Sequence, residues 1–209
     1  MYETIVLLPL LGAVVAGIIA LVGARNRFPG EEPPPPPNDH AAAPAGEDHG
    51  RATPEAPHAA FANTHVEEPE HAPPAAGSLL AELTTSTFLV ISCVLSWFAL
   101  FDVELAVHEA RVPLFSFITF GDLHSEWLLR IDALTAVMLV VVTTISSLVH
   151  IYSIGYMEED PYKPRFFSYL SFFTFAMLML ATADNLVQLF FGWEGVGLAS
   201  YLLIGFWYH

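Results

Sequence analysis

Apolar residues gather into five long runs, at 1–25, 79–101, 132–157, 165–183 and 185–208, separated by polar or turn-rich stretches. At ~1.5 Å of rise per residue, about 20 apolar residues cross a hydrocarbon layer ~30 Å thick, and each run is of that order. The predicted fold class is therefore an all-α polytopic membrane protein with five transmembrane helices. Between the second and third helices, residues 102–131 break the pattern. Val112 to Phe120 and His124 to Ile131 are rich in aromatic and β-branched residues, with Gly121-Asp122 between them, which predicts a β-hairpin in an external loop. The turn at Ala183-Asp184-Asn185 is so short that the fourth and fifth helices must form an antiparallel pair.

Residues 26–78 depart from this pattern altogether. They are dominated by Pro, Ala, Glu and His, include the run Pro33 to Pro37, and cannot bury enough apolar surface to fold. A disordered cytoplasmic loop is expected. His40, His49, His58, His65 and His71 recur through it at separations that match no fixed ligand set, so they read as a solvated segment and no metal site is predicted.

Charge orients the helices. Arg25 and Arg27 follow the first run, Lys163 and Arg165 follow the third, and Glu3 stands where a signal peptide would carry a basic residue. The N-terminus is accordingly expected outside. The net charge of −15 comes largely from acids in the proline-rich loop, and no basic patch suits a nucleic acid. Cys93, the single cysteine, falls within a span and excludes a disulfide framework, a cysteine metal site and a redox motif.

The candidate chemistry centres on Glu194, in Gly192-Trp193-Glu194-Gly195-Val196-Gly197, roughly halfway along the last helix. A lone acid at that depth costs at least ~2.5–3.5 kcal/mol on insertion scales, so it must be protonated, paired or facing water inside a bundle. At ~100° per residue, Val187, Phe190, Gly197, Leu198, Tyr201 and Gly205 share its face, whereas Gly192, Val196 and Leu203 point away. Gly197 and Gly205 would admit another helix closely, and Tyr201 offers a hydroxyl. Gly195 and Gly197 also weaken the helix locally.

A second pattern lies on the third helix. Asp132, Thr135, Thr143, Ser146, Ser147 and Ser153 fall on the face of His150, and Asp132 suits the N-cap. Either a hydrated stripe relays protons through His150, or the hydroxyls bond their own backbone and the histidine bonds a neighbouring helix; the second is the commoner arrangement in membrane bundles. Glu194 and His150 are thus the candidate proton-path residues, with Tyr201, Asp132, Ser146 and Asp184 in support and Gly192, Gly195 and Gly197 as helix-packing positions.

The runs Ala183-Asp184-Asn185-Leu186, Phe191-Gly192-Trp193-Glu194-Gly195-Val196-Gly197-Leu198 and Ser200 to Tyr208, with Arg130-Ile131-Asp132, Tyr156-Met157 and Arg165-Phe166-Phe167, carry a resemblance. The chain resembles the largest antiporter-like membrane subunit of proton-pumping NADH:quinone oxidoreductase, respiratory complex I (subunit L in bacteria, subunit 5 in mitochondria), over Met1 to Phe28 and from about Leu79 onward. The acidic proline-rich insert departs from the compact loop expected of that family. The resemblance implies two inverted five-helix repeats preceded by extra helices, of which this sequence would be the N-terminal third. It also implies a proton path through Glu194 that pairs with a lysine two helices later, and no such lysine is present in this sequence.

The function so implied is proton translocation in a bacterial inner (plasma) membrane, coupled to NADH:quinone electron transfer in other subunits. Flavin, iron–sulfur clusters and quinone would reside in those subunits and no cofactor in this chain; the implied partners are the other membrane subunits and the lipid bilayer. Two alternatives stand beside it. One is the large subunit of a multisubunit cation/proton antiporter, which copurification of iron–sulfur subunits would distinguish. The other is a structural membrane scaffold, for which Glu194→Gln would be silent and deletion of Phe28 to Ser78 would abolish function.

Overall fold

The computed structural model describes residues 1–27, 77–106, 109–120, 123–158 and 160–207. The expected loop at 26–78 lies almost wholly outside these residues, as does the Gly121-Asp122 turn. The element order is α1 (Tyr2–Arg27), α2 (Ser78–Ala106), β1 (Ala110–Phe120), β2 (Leu123–Ile131), α3 (Ala133–Tyr156), α4 (Lys163–Ala181) and α5 (Leu186–Ile204). All five helices are long and apolar enough to cross a membrane, and large apolar side chains such as Leu21, Phe98, Leu148 and Leu186 stand exposed on their outer faces. In water that exposure would be costly; in lipid it is the stable arrangement.

The helices run alternately up and down. The Tyr2 hydroxyl at the start of α1 donates to Asp102 near the end of α2 (2.9 Å), so these two ends lie side by side. Helix α4 is the hub, packing against α1, α2, α3 and α5. Small side chains make this possible: Ala13 and Ala16 are buried on α1, and the Ser168 hydroxyl of α4 donates to the Ala13 carbonyl at 2.8 Å.

The hairpin pairs β1 with β2 in antiparallel register from Ala110↔Ile131 to Phe120↔Leu123, with irregularities between Pro113 and Phe115 and between Ser116 and Ile118. Pro113 cannot donate to a ladder, which accounts for its place at a break. The hairpin is fastened to the α4–α5 turn. The Arg130 amide donates to Thr182 O (3.0 Å), Leu128 N–H to Gln188 Oε1 (3.3 Å), and Asn185 Nδ2 to Glu126 O (2.8 Å). Trp127 adds an aromatic layer, stacking on Phe115 and meeting Phe117 and Phe191, the last of them on α5. Beneath it, Ile5, Val103, Leu129, Ile131, Leu139 and Leu178 form a core where α1, α2, α3, α4 and the hairpin meet.

Candidate functional site

Two caps fix the helices that carry the candidate residues. Asn185 caps α5 by accepting from Gln188 N–H at 2.9 Å, and Asp132 caps α3 by accepting from Thr135 N–H at 2.8 Å. The Asp132 carboxyl also lies 3.5 Å from the Arg130 guanidinium. Its pKa is held below the ordinary carboxylate value chiefly by the Thr135 amide, with Arg130 adding to the effect against the opposing influence of partial burial.

Helix α5 has two unlike flanks. On one, Gln188, Gly192 and Ala199 are buried. An added Cβ on Gly192 would sit 2.8 Å from the Leu180 backbone, and one on Gly195 would sit 3.2 Å from Ala176 Cβ, so both glycines let α5 lie directly on α4. On the other flank Val187, Phe190, Glu194, Leu198 and Tyr201 are exposed. Glu194 makes no hydrogen bond or ion pair among the described residues. Gly197 belongs to this open flank too: a Cβ there would meet nothing within 4 Å. Close helix approach thus occurs at Gly192 and Gly195 and not, among the described residues, at Gly197 or Gly205. Tyr201 also lines a cleft of about 400 Å³ with Arg165, Tyr169 and Phe206.

His150 is placed differently. It is fully buried between α3 and α4, with Phe167 edge-on to its ring. Nδ1 lies 2.9 Å from Ser146 O and Nε2 lies 3.1 Å from Ser171 Oγ. A carbonyl only accepts, so in the neutral ring Nδ1 carries the proton and the Ser171 hydroxyl donates to Nε2. One turn away, the Ser146 hydroxyl bonds Thr174 Oγ1, while Thr174 donates to Leu170 O at 3.1 Å. The rest of the polar face divides between its own backbone and a neighbour. Thr143 bonds Leu139 O (2.7 Å), whereas Ser147 reaches across to Leu89 O on α2 (3.1 Å).

The structure therefore joins His150 with Ser146 but does not join either to Glu194, whose flank faces away from α4. Asp132 and Asp184 lie together at the hairpin end, Asp184 with its carboxylate 3.9 Å from Arg111 Nε. Two arrangements escaped the sequence. Lys163, read only as a mark of the inner surface, is buried 3.5 Å from the buried Glu82 carboxylate. Arg165 is wedged between the Tyr162 and Phe206 rings and donates to Phe206 O at 3.2 Å. A lysine and a glutamate within otherwise apolar helix starts were the available signal for the first; nothing local marks the second.

Comparison with known proteins agrees with the resemblance. The family model for the N-terminus of chain 5 of NADH-ubiquinone oxidoreductase (complex I) matches residues 117–167. NADH-quinone oxidoreductase subunit L of Rhodobacter capsulatus is 56% identical over 135 residues, which are 61% of this chain and 19% of that relative. NADH-ubiquinone oxidoreductase chain 5 of Chondrus crispus is 56% identical over 128 residues, 59% of this chain and 19% of that relative. Subunit L of Rickettsia felis is 50% identical over 129 residues, 62% of this chain and 20% of that relative. The matched segment thus spans about a fifth of the length of these curated relatives. The likeness is thus to the N-terminal part of NADH-quinone oxidoreductase subunit L and NADH-ubiquinone oxidoreductase chain 5.

Proposed function

We propose that this chain takes part in proton translocation across a membrane as an antiporter-like subunit of respiratory complex I, with NADH:quinone electron transfer carried out in other subunits. The observation that carries the reading is Glu194 itself, an acid midway along an apolar helix, on the flank turned away from α4. A carboxylate at that depth needs a partner, and a cation brought near favours the ionised form while its withdrawal favours the acid. Moving that charge loads and releases a proton. In this reading Glu194 and His150 belong to the proton path and Tyr201, Asp132, Ser146 and Asp184 support it. Flavin, iron–sulfur clusters and quinone reside in other subunits, the partners are the remaining membrane subunits, and the site is a bacterial inner membrane with the hairpin end outside.

The test is proton pumping per NADH oxidised, in membrane vesicles carrying the intact assembly with Glu194→Gln. Pumping is expected to fall while assembly persists. Unchanged pumping in a normally assembled complex would remove Glu194 from the path and overturn the reading.

A further inference from the structure

Lys163 opens α4, where the helix dipole disfavours a cation, and it is nevertheless only 6% exposed. Its ammonium lies 3.5 Å from Glu82 Oε1 on α2, and Glu82 is 2% exposed. Two charges removed from water need more than each other, because desolvation of the pair offsets much of its attraction. Yet Glu82 Oε1 accepts no hydrogen bond, and two more buried oxygens on the same helix, Ser86 Oγ and Ser92 Oγ, also lack a partner among the described residues.

Glu82 and Ser86, one turn apart, share a face of α2, whereas Ser92 lies about 120° round the helix from Ser86, on the face of Thr85 that meets Gly12 of α1. Leu89 lies between Ser86 and Ser92, and its carbonyl accepts the Ser147 hydroxyl of α3, one turn from His150. From Glu82 to Leu89 is about 10 Å along the helix. Buried polar atoms without protein partners are ordinarily satisfied by internal water. A merely adhesive contact between α2 and α4 would be served as well by two apolar side chains.

We propose that Glu82 and Lys163 form the mouth of a hydrated proton-exchange seam that runs between α2, α3 and α4 to His150. The proposal rests on the proton-translocating reading. A proton from the aqueous phase forms an O–H bond on the Glu82 carboxylate, with Lys163 remaining an ammonium. That bond then breaks to water in the seam, and an N–H bond forms on His150 Nε2 as the Ser171 hydroxyl turns from donor to acceptor. Lys163 is a positioning residue that holds the carboxylate at the mouth.

Two sets of variants test this in vesicles carrying the intact assembly. Ser86→Cys is treated with a small water-soluble thiol reagent and read by the mass of this chain, beside Ala99→Cys in the apolar core. Labelling several-fold faster at 86 than at 99 is expected; equal, slow labelling means a dry seam and overturns the proposal. Glu82→Gln is expected to lose most pumping per NADH, and adding Lys163→Met is expected to leave the loss in place. Recovery in the double variant would make the pair a structural clasp and overturn the proposal. Normal pumping by Glu82→Gln beside reduced pumping by Glu194→Gln removes the seam alone, whereas normal pumping by Glu194→Gln removes the parent reading. If Glu82→Gln does not assemble, the labelling comparison still decides.

Discussion

Gly192 lies against Leu180 backbone to backbone: a Cβ on the glycine would stand 2.8 Å from both the Leu180 nitrogen and its Cα. Neither atom can rotate aside, so Gly192→Ala must push α5 off α4. Overpacking of this kind costs about 1–3 kcal/mol. The expected result is a lower melting temperature of the purified assembly. Gly195→Ala, which meets only Ala176 Cβ at 3.2 Å, should lower it less.

The cap of α3 carries a pH dependence of defined sign. The Asp132 pKa is depressed in the folded chain, first by the Thr135 amide. A depressed carboxyl adds stability that is present above its unfolded value of about 3.9 and is lost as pH falls through the folded value. Asn caps nearly as well as Asp, so Asp132→Asn isolates the charge. The wild-type chain should be the more stable of the two near neutrality, and the difference should vanish in acid. Asp132→Ala should cost about 1 kcal/mol at neutral pH. Thermal unfolding across a pH series checks both.

Hydrogen exchange reports the docking of the hairpin. The Leu128 amide depends on Gln188 Oε1, and Trp127 packs beside Phe191 of the same helix. Trp127→Ala should accelerate exchange at Leu128 and Arg130. Amides within α3 beyond its first turn should be unaffected, because their partners are intrahelical.

Removing the Ser171 hydroxyl leaves His150 Nε2 without its donor. Hydrogen bonds between membrane helices average about 0.6 kcal/mol and reach about 1.7 kcal/mol. Ser171→Ala should destabilise the fold by that order in detergent unfolding. Ser171→Thr, which keeps a hydroxyl, should recover much of the loss.

How far the sequence foretold this depends on how local each feature is. Five apolar runs and a turn-bounded β-rich stretch are local patterns, and five helices with a hairpin between the second and third are what the chain forms. The faces of α5 were legible too, since Gly192 and Glu194 are separated by a fixed helical angle. Which face would touch a neighbour was not: that depends on where α4 lies, and it lies against the face of Gly192 and not that of Gly197. The Glu82–Lys163 pair is the clearest case. Each residue alone looks like a charge near a helix end, and only the packing of α2 on α4 shows that both are buried together. The hydroxyls of α3 likewise gave a polar face without revealing that Ser147 would cross to Leu89 and Thr143 would not.

The seating of α5 on α4 has a mechanical meaning. A helix seated against a neighbour's backbone at Gly192 and against Ala176 at Gly195 cannot slide or roll without breaking those contacts, so the opposite flank behaves as a fixed rail. Glu194 is mounted on the rail. Its distance from any approaching group is therefore set by the travel of that group, and the carboxylate serves as the stationary point against which the travel is measured.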